Sequence, residues 1–166
     1  MVDILILSLG SNIKPERENL IRAVKGLNKK FYFSKISSLY LTEPLDDLDQ
    51  DNFYNLCVRY FSKIKDPYKI LKIVKNIEKR IGRKKDLNKP KGPRKIDIDI
   101  IFFGNIEMNS EKLIIPHKSL FNRKFVLEPL IEILPDDSIY FQKYNLKDHL
   151  KKVEKQKTKK IGELII

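Results

Sequence analysis

The run Gly92-Pro93-Arg94-Lys95-Ile96-Asp97-Ile98-Asp99 carries the densest chemistry in the chain. From Lys95 to Phe103 apolar and polar residues alternate, which predicts a strand. On it Ile96, Ile98 and Ile100 share one face, and Asp97 and Asp99 share the other, their Cα atoms roughly 6.7 Å apart. Two like charges held that close repel each other. Paired hard oxygen ligands, with the rest of a coordination sphere left open, suit Mg²⁺ ions completed by water and by nucleotide phosphates. A ladder of solvated edge-strand acids is the plainer alternative, but such acids usually pair across to lysines, and here an arginine stands just upstream. The chain has neither a Gly-x-x-x-x-Gly-Lys-Ser/Thr motif nor a kinase-type glycine-rich loop. Gly10-Ser11-Asn12 ahead of a helix is a weak substitute. Phosphate contacts would then come from the side chains of Arg83, Lys85, Arg94, His117 and Arg123, arginine offering a two-pronged fork and lysine a point charge. Taken singly, each reads first as a solvated charge, and His117 after Pro116 equally as a structural turn histidine.

The elements that must hold these residues follow from periodicity. Ile4–Leu9 predicts a buried strand ended by Gly10-Ser11-Asn12, and Pro15 opens a helix with Leu20, Ile21, Val24 and Leu27 on one stripe. A β-rich stretch from Phe31 to Leu41 leads through Thr42-Glu43-Pro44-Leu45 and an acidic loop, 46–51, to a neighbouring strand from Phe53 to Phe61. Asp66-Pro67 starts a helix whose stripe Ile70, Leu71, Val74, Ile77 and Ile81 ends at Gly82. The stretch from Arg83 to Arg94 is polar, punctuated by proline and glycine, and dense in cations; it predicts a surface loop that closes as a lid over a polyphosphate ligand. After Pro116-His117, helical stretches are expected around 119–122, 126–134 and 145–153. The order βα-ββ-α-β predicts an α+β, ferredoxin-like sandwich, a mostly antiparallel sheet with helices on one side.

At 166 residues and 42% hydrophobic content the chain fits one domain, 1–166. The N-terminal apolar run stops at Ser8 without a basic leader, and nothing approaches the roughly 18 uninterrupted apolar residues of a membrane span. A cytoplasmic protein is expected. The single cysteine, Cys57, lies in an apolar run and reads as a buried, inert thiol. The net charge of +12 is spread along a chain rich in Lys, Ile and Asn. It reads as general solvated surface, or as steering of a polyphosphate substrate. It also admits a different class, a non-catalytic RNA-binding module on a ferredoxin-like sheet, although the aromatic-basic strand signature of such modules is missing.

The ordered set of motifs resembles the 6-hydroxymethyl-7,8-dihydropterin pyrophosphokinase family of folate biosynthesis. The likeness runs over about residues 4–135: Leu9-Gly10-Ser11-Asn12, the stretch from Ser37 to Leu45, the stretch from Asp49 to Asn55, Glu78 with Gly82-Arg83, Gly92 to Asp99, Pro116-His117, and Asn122 to Phe125. The resemblance implies a monomeric ATP-dependent diphosphokinase acting on the small-molecule substrates ATP and the reduced pterin, with no nucleic-acid or membrane partner. It implies two Mg²⁺ ions on Asp97 and Asp99, a pterin ring between Phe53 and Phe125, and a hydrogen bond from Asn55 assisted by backbone near Thr42 and Leu45. It also implies nucleotide contacts from Glu78, Ile100, His117 and Arg123, and polyphosphate contacts from Arg83 and Arg94, with Lys85 standing in for a second loop arginine. The chain departs from the family pattern at Glu43, Lys91 and Lys118.

Overall fold

The computed structural model describes residues 2–45, 49–84 and 92–166. The chain begins with β1 (Asp3–Ser11), α1 (Glu16–Asn28), β2 (Tyr32–Ile36), β3 (Leu39–Thr42), β4 (Phe53–Ser62), α2 (Pro67–Ile81) and β5 (Asp97–Phe103). It continues through the short strands β6 (Met108–Asn109) and β7 (Ile114–Ile115), a 3-10 turn at Leu120–Asn122, α3 (Lys124–Ile133), α4 (Ile139–Tyr144), α5 (Leu146–Lys152) and β8 (Thr158–Gly162). The main sheet has the order β5-β1-β4-β3-β8, with β2 also on β4. All its described pairings are antiparallel. β1 is its spine: it runs against β4 from Asp3–Ser62 to Ser11–Tyr54 and against β5 on its other side.

β1 carries consecutive apolar residues from Ile4 to Leu7 because both of its faces are covered. Leu5, Leu7 and Leu9 point into a core closed by α1 and α2, through Leu20, Val24, Leu27, Ile70, Val74 and Ile81. Ile6 points the other way, with Cys57, Ile101 and Phe102, into a core closed by Val126, Leu127, Leu130, Ile133, Tyr140 and Leu146 of α3, α4 and α5. Fully burying a side chain of this size contributes about 1.5–3 kcal/mol. Helices on one side only is therefore corrected: they pack on both, because these strands alternate two apolar sets. α2 forms as expected, with the Asp66 carboxylate accepting from Tyr68 N at 2.8 Å, Pro67 in the first turn and Gly82 stopping it at φ 97°.

The β-rich stretch 31–41 is two strands, β2 and β3. At the break Ser37 N still donates to the Cys57 carbonyl, and side-chain hydrogen bonds supply the rest: Ser37 Oγ accepts from Cys57 N, and Ser38 N and Oγ both donate to Glu132. β5 is regular at its start, then bulges; Leu7 faces Ile100 and Ile6 faces Phe102, so Ile101 and Phe102 both enter the second core. The expected helix at 145–153 is α5. α4 and the edge strand β8 went unanticipated, being only six and five residues long.

Candidate active site

β5 carries the acidic pair to the open end of the second sheet face. Arg83 Nη1 donates to Asp97 Oδ1 at 2.6 Å, and Arg94 Nη1 donates to Asp97 Oδ2 at 2.8 Å. Arg83 reaches this point because Gly82 ends α2 in a left-handed turn, and Arg94 because it stands three residues before the strand's first residue, Asp97. The same Arg83 nitrogen also donates to Glu78. Glu78 is buried, accepts the Ile98 N–H at 2.8 Å and has Lys75 Nζ at 3.1 Å. A carboxylate thus takes a backbone donor on the edge of β5, and a lysine and an arginine balance it.

The two aspartates sit in different fields. Burial drives the Asp97 carboxyl up, but the guanidiniums of Arg83 and Arg94 reverse this and hold it below the usual carboxylate range. Asp99 is raised, by burial and then by repulsion from Asp97, against the opposing pull of His117, Lys75 and Arg123. Burial likewise raises Glu78, against Lys75 and Arg83. His117 Nε2 stands 3.8 Å from Asp99 Oδ1. Burial lowers the His117 pKa despite that carboxylate, favouring the neutral ring. Ser119 N donates to Nδ1 at 3.3 Å, which leaves the proton on Nε2, facing Asp99.

Two cavities meet at Asp99. The first, of about 100 Å³, is lined by Thr42, Leu45, Phe53, Asn55, Arg94, Asp97, Asp99, Arg123 and Phe125, with Ser8 and Gly10 on its floor and Glu43, Pro44 and Gln50 at its rim. Asn55 Nδ2 donates to Thr42 Oγ1 at 2.7 Å. A Cβ on Gly10 would lie 2.8 Å from Asn55 Oδ1, so a residue without a side chain lets the amide lie against β1. The Arg94 guanidinium lies 5.6 Å from the centre of the Phe53 ring, and the Arg123 guanidinium 5.6 Å from that of Phe125. The second cavity, of about 200 Å³, has Ile98, Asp99, Ile100 and His117 on one side and Leu71, Lys75, Lys112, Leu113 and Lys118 around the rest.

Every site residue named from the sequence except Lys85 falls in or beside these cavities; Glu78 and Arg83 stand behind Asp97 rather than on a wall. Lys85 and most of the lid lie outside the described residues. Leu71, Lys75 and Leu113 escaped sequence reasoning, since Leu71 read as core and Lys75 as one lysine among many; the spacing 71-75-78 on one flank of α2 was the available signal. Asn12 was missed in its actual role. Its amide donates to Gln50 Oε1 at 2.9 Å and to the Asp51 carbonyl at 3.1 Å, while its Oδ1 accepts from Arg94 N at 2.8 Å. With the Ser11 hydroxyl donating to the Lys95 carbonyl, this turn ties loops together and is no phosphate cradle.

The antiparallel α+β sandwich thus carries two cavities that meet at an acidic strand end. The family model for 7,8-dihydro-6-hydroxymethylpterin-pyrophosphokinase matches residues 6–135, and the chain belongs to that family. A 2-amino-4-hydroxy-6-hydroxymethyldihydropteridine pyrophosphokinase from Bacillus subtilis is 36% identical over 135 residues, covering 80% of this chain and 79% of that one. The bifunctional protein FolKE of Lactococcus lactis is 39% identical over 138 residues, covering 82% of this chain and 39% of the relative. A folate synthesis bifunctional protein of Arabidopsis thaliana is 39% identical over 137 residues, 81% of this chain and 28% of the relative. The chain thus spans well under half the length of these bifunctional relatives. Among solved structures, wild-type Plasmodium falciparum HPPK-DHPS with pteroate superposes with a TM-score of 0.67 at 17% identity, over 92% of this chain and 44% of that one, a likeness of fold.

Proposed function

We propose that the chain transfers diphosphate from ATP to the hydroxymethyl group of 6-hydroxymethyl-7,8-dihydropterin, giving the pterin diphosphate and AMP. The observation that carries this reading is the junction of the two cavities at Asp99, one walled by Phe53, Phe125 and Asn55, the other by Ile100, Leu71 and His117. A flat heterocycle calls for aromatic faces and a few in-plane polar partners, which the first cavity offers. The nucleotide belongs in the second, its phosphates turned toward Asp97 and Asp99. In the reaction the pterin hydroxyl oxygen loses its proton to solvent and bonds to the β-phosphorus as the bond from that phosphorus to the α–β bridging oxygen breaks, and AMP departs with that oxygen.

Asp97 and Asp99 fit Mg²⁺: two adjacent hard-oxygen donors, one destabilised by the other's charge, and among the described residues no third acidic, histidine or cysteine group gathered with them into a closed cage. Bound there, Mg²⁺ would supply positive charge to phosphate oxygens as a Lewis acid. The chain's own residues do the rest. Arg83 and Arg94 keep Asp97 ionised and stand ready to share their forks with phosphate oxygens. His117 presents an uncharged N–H beside Asp99. Phe53 and Phe125 align the ring so that its hydroxymethyl arm faces the acidic pair. The reading includes ATP as co-substrate, a cytoplasmic monomer and a single domain; among the described residues no helix is long and apolar enough to cross a membrane.

RNA binding on an open sheet finds no support, since helices cover both sheet faces and Tyr54 packs against the first core. Incubating the protein with ATP, the reduced pterin and Mg²⁺ should yield AMP and pterin diphosphate in equal amounts, and none when Mg²⁺ is chelated. Release of ADP, or no nucleotide product at all, would sink the proposal.

A further inference from the structure

Past residue 135, where the family match ends, the chain runs through α4 and α5 and returns to the first cavity. α3 begins there without a local cap: Arg123, at its cap position, is extended and makes no side-chain cap bond. A helix start leaves backbone N–H groups without intrahelical partners. Here one of them is taken from 32 residues away. Gln156 Oε1 accepts from Lys124 N at 2.8 Å, and Gln156 Nε2 donates to the Asn122 carbonyl at 2.9 Å. A single side-chain amide so fixes both peptide groups that flank Arg123. Lys124 Nζ adds a bond to the Glu154 carbonyl at 3.1 Å. Two residues on, Thr158 pairs with Thr42 in the sheet, and its hydroxyl donates to Glu128 of α3. Segment 154–158 therefore braces two parts of the cavity wall, at Thr42 and at Arg123–Phe125.

We propose that Gln156 is a positioning residue of the first cavity, capping α3 from outside its own helix and thereby setting the Arg123–Phe125 turn where a flat ring stacks. The proposal rests on Phe125 being a ring-stacking residue. A cap that served only the fold would lower the melting temperature and leave ligand affinity alone; a positioning residue acts on affinity through Phe125.

The test is calorimetric titration of 6-hydroxymethyl-7,8-dihydropterin, with Mg²⁺ and a non-hydrolysable ATP analogue present, into wild type, Gln156→Ala, Gln156→Glu, Phe125→Ala and the Gln156→Ala/Phe125→Ala double variant. Gln156→Ala should weaken the pterin about fivefold, the fold-change of a typical lost cap. Gln156→Glu keeps the acceptor for Lys124 N but loses the donor to Asn122, and should fall between. In the Phe125→Ala background the Gln156 change should add less than about twofold, because it has lost the ring it acts through. Unchanged affinity in Gln156→Ala, or the same fivefold loss on top of Phe125→Ala, overturns the proposal. Should wild type bind no pterin, the proposed function fails, and Gln156 is judged by amide exchange at Val126 and Leu127, which donate to the Arg123 carbonyl. Faster local exchange in Gln156→Ala with global exchange unchanged supports positioning; equal exchange overturns it.

Discussion

At the scale of single residues the acidic pair is asymmetric, which separates stability from activity. Asp97 is held by two arginines and Asp99 is not similarly relieved of its neighbour's charge. Asp97→Asn strips a counter-ion from Arg83 and Arg94 and should cost about 3 kcal/mol of stability in metal-free buffer. Asp99→Asn removes a repulsion and should leave the melting temperature equal or higher. Under the proposed function both should lose turnover by at least about a hundredfold. A melting curve in EDTA and an AMP assay on each variant check the pair; equal destabilisation by both would contradict the field described above. Phe53→Ala and Phe125→Ala should each weaken the reduced pterin by about 1–3 kcal/mol, read by the same titration. Asp97 and Asp99 were legible because a strand's period of two forces neighbours-but-one onto one face. Asn12 and Gln156 were not, because their partners lie 32 to 82 residues away and no local spacing announces such bonds; Lys75, only three residues before Glu78, was hidden as one lysine among many.

At the scale of elements, strands and the two long helices followed from apolar period and end signals, whereas the break between β2 and β3 depends on Glu132 of α3. Ser38 N and Oγ donate to its Oε1 at 2.9 and 2.7 Å, and Tyr40 Oη donates to its Oε2 at 2.7 Å. Burial raises its carboxyl, but the Tyr40 and Ser38 donors and Lys160 outweigh that and hold it below its usual 4.5. A depressed folded pKa means stability that is present above about pH 4.5 and lost as pH falls through the lower folded value. Glu132→Gln should therefore melt lower than wild type at pH 7, with the gap narrowing as pH is lowered from 4.5 toward 3. A constant gap across melting curves from pH 3 to 7 would show that the carboxylate's charge is not what joins α3 to β3. The end of β1 gives a second element-scale outcome. Gly10→Ala sets a methyl group against Asn55 Oδ1, so the Asn55 amide must turn away from Thr42. Pterin affinity should fall by about 1–2 kcal/mol with the circular dichroism spectrum unchanged; full affinity would mean that the Asn55 amide is dispensable.

At the scale of the molecule, the sandwich was legible as a class because the element order alone narrows the topologies, but α4, the last strand and the packing of the later helices on the opposite sheet face were not. α4 and that strand lie in the lysine-rich stretch after residue 135 and, at six and five residues, show too little period to read. The same lysine excess left two meanings open for the +12 charge, plain solvation or steering. The structure gathers Lys75, Lys112, Lys118, Arg94 and Arg123 around cavities whose only acidic groups among the described residues are Asp97, Asp99, Glu43 and Glu111. Cationic rims of this kind speed the arrival of an anion and do nothing for a neutral ligand. The Debye length falls from about 10 Å at 0.1 M salt to about 3 Å at 1 M. Under the proposed function, kcat/KM for ATP should then drop several-fold between about 0.05 and 0.5 M KCl, while kcat/KM for the uncharged pterin at saturating ATP changes less than about twofold. A matched fall for both substrates would assign the salt effect to the fold or the chemical step, and the surplus lysines to solvation alone.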